Sequence, residues 1–535
     1  MKPKSVKKLK LEKRKNEIIA NLEAGENVRE VYLNTDLDYN LDLFKSYLHN
    51  CSDVIYREIE LELSQPVRAC IIYVDGLVNN DTIDRYILLP LLELRFKADQ
   101  VGESIDLITE LKDKILAVNE IIQTGTLGEL LDSLLTGSTI VLVDGFSLAL
   151  ACTTKGWEDR PVTENTTETV VRGPREAFVE NIRTNTALLR RRLKTHRLKI
   201  ETMLIGRESK TETAIVYMEG IASEEMVEEV RKRLKRIEID STFGGGEIEE
   251  FISDNPYSIF PQVRASERPD SVASDLLSGR VAIITDGTPI VLVVPVIFLQ
   301  FIQSSEDYYQ GIYYGSLLRL LRLAAFFLTL TLPSLYVAIT TFHHGMLPSP
   351  LYLSVAAGRE GVPFPALLEA LLMEFTFEIL REAGVRLPKA VGQTVSIVGA
   401  LVVGESAVRA GLVSPLMVIV VSLTAIFSFV IPNYSVAITI RFLRFPLMIL
   451  AGTLGFFGLT WGLLLLLFRM VSLRSFGVPY FSPLAPLNLE SWKDIFVRAP
   501  WFRMRKRPYL FVRDNVNRMP KMETPQPPKK SGEEK

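Results

Sequence analysis

The three longest stretches of this chain without Asp, Glu, Lys or Arg are 323–358, 410–440 and 445–468. A helix needs about 20 mostly apolar residues to cross a bilayer core, and each stretch is long enough. A soluble core helix of that length would have to be shielded from water on every side. The stretches are therefore read as membrane helices. The rest of the 535-residue chain contrasts with them. Up to about residue 286 it is charged and patterned like a soluble protein, and from 469 onward it is basic. The formal net charge of −2 conceals this distribution. The first fifteen residues carry 8 Lys and Arg with one Glu, and 469–535 carry 14 Lys and Arg against 6 Asp and Glu. Basic ends favour the cytoplasmic side and anionic headgroups. The N-terminal MKPKSVKKLKLEKRKN has no apolar run behind its charges, unlike a secretory signal. The soluble region is accordingly expected in the cytoplasm, where the scattered Cys51, Cys70 and Cys152 read as reduced thiols.

One pattern occurs four times in the soluble region: an apolar, strand-like run followed by an acidic residue and Gly. The copies are IIYVDGLV (71–78), IVLVDGFS (140–147), IVYMEGIA (215–222) and AIITDGTP (282–289). Asp75 and Asp144 lie 69 residues apart, and Glu219 and Asp286 lie 67 apart. Asp-Gly is a turn signal, because Gly takes positive φ freely and Asp bonds its own backbone. IVLVDGFSLALA and VAIITDGTPIVLVV both read as hairpins folded about it. Helical periodicity recurs in 177–198 and 224–237. Two similar α/β subdomains in tandem follow, at about 45–155 and 185–290. The run 290–302, interrupted by Pro295, reads as strand and interfacial connector.

Four hydrophobic spans are expected, at about 317–342, 391–410, 412–431 and 446–468. Arg319 and Arg322 open the first, where long side chains can snorkel to the interface, and Pro333 should kink it. Glycines at 399, 404, 452, 455 and 458 allow close helix packing. The intervening segment 358–388 has a helical pattern but carries Glu369, Glu374, Glu378, Arg381 and Glu382. Glu374, Glu378 and Glu382 follow i, i+4 spacing on one face, with Glu369 on another. Charges at membrane depth are expensive and face a water path or a partner. Two readings stand: an amphipathic interfacial helix over 362–384, or a re-entrant helix lining an ion path after the Pro363/Pro365 break. Glu405 and Arg409 pose the same question and can pair within their helix. Basic tails call for an even number of spans, yet four spans leave Arg381, Arg386 and Lys389 on the outer side.

No GxxxxGK[ST], GxSxG or HExxH is present, and no catalytic constellation is found. No cofactor and no metal are expected; His343 and His344 precede Gly345 in a loop. FGGGEIEEF (243–251) reads as a turn before a helix. The basic LLRRRLKTHRLK reads as one solvated helix face, with no nucleic acid as partner.

Several long blocks resemble the GerA family of spore germination proteins. In the second half they are SERPDSVASDLLSGRVAIITDGTP (266–289), SSEDYY (304–309), AAGREGVPFPALLEALLMEFTFEILREAGVRLP and VGQTVSIVGALVVGESAVRAGLVSPLMVIVV (391–421). The soluble half adds RGPREAFVENIRTNTALLRRRL (172–193) and EIEEFISDNPYSIFPQ (247–262). The resemblance runs from about residue 40 to 480. It implies the A subunit of a nutrient germinant receptor in the inner membrane of the spore, a multi-pass protein of the bacterial cell membrane. Its implied partners are a transporter-like, nutrient-binding B subunit, a lipoprotein C subunit, membrane lipid and further copies of itself. The copies would form a ring, a pentamer among the candidate sizes, around a nutrient-gated ion pore. On the family pattern, Val362, Pro363 and the Glu374/Glu378 face lie near that pore. Glu369, Glu405 and Arg409 complete the candidate pore or gating set. The alternatives are an accessory protein of dipicolinic acid release, a solute transporter, and a membrane scaffold without a pore.

The expected organisation is therefore a basic segment 1–40, subdomain 1 at 41–160, and subdomain 2 with its connector at 161–303. A membrane domain at 304–470 and a basic tail at 471–535 follow. The fold class is a mixed α+β or α/β soluble region of two similar tandem subdomains, followed by an α-helical multi-pass membrane domain.

Overall fold

A computed structural model describes residues 30–63, 66–93, 107–156, 168, 170–386, 404–488, 492, 494–512 and 515–520. The soluble region holds two five-stranded sheets, antiparallel throughout. The first comprises β1 (Val54–Leu61), β2 (Val67–Val74), β3 (Ile121–Thr124), β4 (Ser138–Val143) and β5 (Ala149–Thr153). The second comprises β6 (Leu198–Ile205), β7 (Thr211–Met218), β8 (Arg264–Ser266), β9 (Val281–Thr285) and β10 (Val291–Val294). Their strand orders, β1-β2-β4-β5-β3 and β6-β7-β9-β10-β8, are the same order twice. The central strands are apolar without alternation because both faces are covered. Cys70, Ile72, Ile140 and Leu142 pack on one face of the first sheet, and Ala69, Ile71, Val141 and Val143 on the other.

The helices repeat as well. In subdomain 1, α1 (Leu37–Tyr47) and α2 (Leu127–Leu135) cover one face. In subdomain 2, α3 (Ile182–Arg192) and α6 (Pro269–Leu277) cover the matching face, while α4 (Glu224–Lys235) and α5 (Gly245–Ile252) cover the opposite one. The duplication extends to single hydrogen bonds. Asp144 accepts from Leu37 N at 3.1 Å, and Asp286 accepts from Ile182 N at 3.0 Å. Asn40 and Asn185 each clamp the backbone six residues upstream. The repeated turn acid thus docks the first helix of each unit on its last hairpin. Gly145 (φ 89°) and Gly287 (φ 84°) follow those acids in the left-handed region the hairpins require. Because Leu37 and Leu33 are core residues, subdomain 1 begins inside the segment delimited above as 1–40.

The helical bundle contains α7 (Ile312–Thr341), α8 (Ser349–Arg359), α9 (Ala366–Arg386), α10 (Pro415–Val430) and α11 (Tyr434–Ser472). Among the described residues, α7 and α11 are long and apolar enough to cross a membrane, and α10 is a shorter apolar helix. The expected span at 391–410 falls largely on 387–403, outside the described residues. The span expected at 446–468 differs in kind. At Gly455 the backbone leaves helical geometry (φ 63°, ψ −143°). A Cβ at Gly462 would collide with Leu447, and one at Gly458 with the Leu450 carbonyl. A straight helix would hold positions 447 and 462 about 22 Å apart. The chain therefore folds back at Gly455, giving an outgoing limb 434–454 and a returning limb 456–472.

The returning limb brings the C-terminal segment back to subdomain 2. Phe298 N bonds the Tyr480 carbonyl at 2.8 Å, and Val296 N bonds Ser475 Oγ at 3.1 Å. Val478, Phe511 and Val512 join the core of subdomain 2. Much of the stretch delimited by charge as a tail is thus packed against the folded body. Burying each such side chain stabilises by about 1.5–3 kcal/mol, which outweighs the pull of scattered basic residues toward water.

Candidate functional site

Charge is buried at three levels. The first joins the two subdomains. Arg190 forks onto Asp53 at 2.8 and 2.9 Å, and both are buried. Burial opposes the guanidinium charge, but Asp53 more than offsets it, so the Arg190 pKa is raised. Lys199, also buried, bonds the Tyr47 carbonyl at 2.9 Å and Glu219 at 3.2 Å. The basic helix end is therefore not a solvated face. Arg190 points into the domain interface, while Arg191 and Arg192 pair with Glu176 at 3.1 and 2.7 Å.

The second level joins subdomain 2 to the bundle. Asp307, fully buried, accepts from Arg319 at 2.9 Å and Arg322 at 2.5 Å. Arg319 also meets Asp494 at 2.9 Å, which accepts from Tyr308 Oη at 2.6 Å. Asp275 on α6 accepts from Arg264 at 2.5 Å, from Arg280, and from Gln300 of the connector at 3.0 Å. Arg268 grips Asp270, which also takes the Tyr309 hydroxyl at 2.7 Å. Arg319 and Arg322 thus do not snorkel. They are i, i+3 on the face that meets Asp307. The blocks SERPDSVASDLLSGR and SSEDYY encode this junction, and the acid three to four turns upstream of the arginines was the signal that could have found it.

The third level lies inside the bundle. Glu374 on α9, 1% exposed, pairs with Arg444 of α11 at 2.6 Å. One turn on, Glu378 pairs with Arg441 at 2.7 Å. Arg381 then donates to Ser428 Oγ at 2.9 Å and lies 4.8 Å from the Phe429 ring. One turn before, buried Glu369 accepts from Ser414 N at 2.6 Å and lies 3.8 Å from Arg359. Removing charges from water costs several kcal/mol per ion unless geometry compensates, so these partners are what let α9 keep its acids. Glu369 faces the start of α10 and Glu374 faces α11, on separate sides of the helix.

The other candidates gather at one end. Val362, half-buried, and Pro363, exposed, lie in the loop before α9. Gly411, whose Cβ would lie 3.2 Å from the Gly361 carbonyl, brings 404–411 beside that loop. Glu405 and Arg409 pair there within one helical stretch at 2.5 Å, exposed. Val362, Pro363, Glu405, Arg409 and Glu369 therefore share the end of the bundle remote from the soluble region, while Glu374 and Glu378 lie deeper along α9, about one and a half and two and a half turns beyond Glu369. His343 and His344 are not part of a metal cluster among the described residues.

Together these features define a class: a duplicated α/β module fused through buried charge to a bundle with helices able to cross a membrane. The chain belongs to the GerA family: the family described as Bacillus/Clostridium GerA spore germination protein matches residues 42–510. Spore germination protein KA of Bacillus subtilis (strain 168) is 43% identical, over 94% of this chain and 91% of its own length. Spore germination protein B1 of the same organism is 39% identical, over 89% and 97%. The uncharacterized membrane protein YfkQ, also from that organism, is 43% identical over 92% and 94%. Among solved structures, the N-terminal domain of the A subunit of the Bacillus megaterium spore germinant receptor GerK3 is 35% identical. It covers 51% of this chain and 99% of that domain, with a TM-score of 0.41.

Proposed function

We propose that this protein is the A subunit of a nutrient germinant receptor in the inner membrane of the spore, and that several copies assemble into an ion-conducting ring. The observation that carries the ring is the division of α9. One side is bound to its own chain through Glu374–Arg444 and Glu378–Arg441. The other presents Leu368, Leu372, Phe375 and Ile379, all exposed, at the 4-3-4 spacing of a helix-pairing seam. A helix held by ion pairs on one side and apolar on the other suits contact with a neighbouring copy. Few crossings per chain also favour a path between copies over one within a chain.

The bundle supports an even number of crossings. Phe298 packs on Phe326, midway along α7, in the core that also holds the start of the outgoing limb of α11, and α7 and that limb end together at Phe342 and Gly455. α9 and α10 run parallel to each other, since Glu369 meets Ser414 at one end and Arg381 meets Ser428 at the other, and opposite to the outgoing limb, since Glu374 meets Arg444 and Glu378 meets Arg441. With the returning limb, both ends of the membrane domain lie on the soluble, cytoplasmic side. Val362, Pro363, Glu405 and Arg409 then sit at the outer mouth. Nutrient binding on a transporter-like B subunit, with a lipoprotein C subunit present, would open the path.

The test is ionic current in planar bilayers from the complex of this chain with its B and C partners, with and without amino acids or sugars. Nutrient-dependent current altered by Val362→Ala or Glu374→Gln is expected. Absence of current from an intact complex would overturn the reading. A scaffold without a pore is favoured by one observation, that both acids are paired within the chain. Germination unaffected by the double substitution of Glu374 and Glu378 with Gln would decide for it.

A further inference from the structure

We propose that the loop 255–260, together with Phe251 of α5, is a wedge seated in the membrane interface, where Tyr257 and Ile259 lie among phospholipid headgroups and upper acyl chains. The proposal rests on the reading that α11 crosses a membrane.

Depth is the first ground. Thr439 Oγ1 donates to the Ile259 carbonyl at 2.8 Å. The outgoing limb 434–454 is about 31 Å long at 1.5 Å per residue, close to the roughly 30 Å bilayer core. Thr439 lies five residues in from Tyr434, so the loop touches the limb about 7 Å inside its near end. Interfacial elements are buried about 5–10 Å at the headgroup–acyl boundary.

Composition is the second ground. Tyr257 is 96% exposed and Ile259 58%, beside an exposed Phe251. Single exposed apolar residues need no explanation, but here three fall within nine positions on one loop and helix end. The limb that the loop touches carries the exposed Tyr434 and Phe442, which face acyl chains if the limb crosses. Tyr is suited to this level because one end of its ring is apolar and the other wet.

The third ground is the loop's own polar accounting. Asn255 N donates to Gln262 Oε1 at 3.0 Å, and Gln262 Nε2 donates to the Asn255 carbonyl at 2.7 Å. Ser258 N bonds the Asn255 carbonyl, Phe260 N bonds Ser258 Oγ, and the Ile259 carbonyl takes Thr439. These backbone groups are satisfied inside the protein, as a low-dielectric setting demands. Phe260 anchors the loop from behind, edge-on to Phe298 at 6.5 Å. Subdomain 2 would thus be held to the lipid surface as well as to the bundle.

The test places a nitroxide label, one site at a time, on the full chain in phosphatidylglycerol–phosphatidylethanolamine liposomes. The sites are Tyr257→Cys, Leu465→Cys on the exposed face of the returning limb, and Asp113→Cys on subdomain 1; the three native cysteines are buried. Relative accessibility to oxygen and to a water-soluble nickel chelate is read by spin resonance. The 257 label is expected to favour oxygen several-fold over the 113 label and to lie between 113 and 465. A 257 label matching 113, with 465 in the bilayer, would overturn the wedge and leave the crossing intact. A 257 label shielded from both reagents would mean a protein partner covers it, which also overturns the proposal. A 465 label open to nickel would remove the crossing itself.

Discussion

The two subdomains share strand order, helix placement and the acid that docks the first helix, yet they are joined to the rest of the chain differently. The comparison is sharpest at α2 and α6, which occupy the same place in each unit. α2 reads LGELLDSLL and fills its core with Leu127, Leu130, Leu131 and Leu134. α6 reads PDSVASDLL and carries the half-buried Asp270 and the buried Asp275, both held by arginines. Polar groups have been built into one copy of a repeated fold where the bundle attaches. Subdomain 1 has an apolar core and meets subdomain 2 through Asp53–Arg190, the Lys199 bond to the Tyr47 carbonyl and backbone bonds such as Ser52 N to the Ile200 carbonyl. Subdomain 2 is continuous with the connector, α7 and the returning C-terminal segment. The same strand order therefore does not imply the same attachment; the charges in one copy mark where the bundle joins it.

The largest effect is expected where the copies differ most. Asp307→Asn leaves Arg319 and Arg322 buried without their shared carboxylate. Breaking a buried pair costs about 3–5 kcal/mol, so thermal unfolding in detergent should show a large loss of folded protein. Next comes the joint between the copies. Asp53→Leu alone should destabilise strongly, whereas adding Arg190→Met should recover much of the loss, because an apolar pair can replace a buried ion pair. A double-mutant cycle is expected to give coupling of about 1–3 kcal/mol. Coupling near zero would break the claim that this pair joins the units.

A smaller effect is pH-dependent and confined to subdomain 2. Burial, with a lesser push from the Glu250 charge, raises the Glu249 pKa to about 7. The folded state then holds this proton more tightly than the unfolded chain, whose Glu titrates near 4.3. The contribution is fully present below that value and is lost as pH rises through about 7. Glu249→Gln should flatten the decline in stability between pH 5 and 8, measured by melting across that range. The smallest effect is expected at Glu405 and Arg409, an exposed i, i+4 pair. Glu405→Gln should change stability by less than about 0.5 kcal/mol, in contrast to Glu374→Gln, whose partner Arg444 is buried.

The duplicated fold was legible because turn acids and apolar runs recur at near-equal spacing, and spacing survives when the rest of a repeat diverges. The 290–302 connector was legible because Pro295 interrupts a run too short to span. The fold-back at Gly455 was not, since apolar composition continues unbroken through it and only one backbone angle marks the reversal. The junction was half legible: its blocks stood out, but Asp307 and Arg319 belong to different local patterns, and only packing pairs them. In the bundle, i, i+4 spacing correctly put Glu374 and Glu378 on one side of α9. Their partners Arg441 and Arg444 lie more than sixty residues away and leave no periodic trace.

The most direct measurement is amide hydrogen exchange on the full chain, comparing the wild type with Asp494→Asn. This milder change removes the half-exposed partner of Arg319 and Tyr308 and leaves Asp307 in place. The account predicts faster exchange in α6, in Phe298–Ile302 and in the first turns of α7, with α1 and α2 of subdomain 1 unchanged. Equal acceleration in both subdomains, or none in either, would contradict the claim that subdomain 2 alone is built into the bundle.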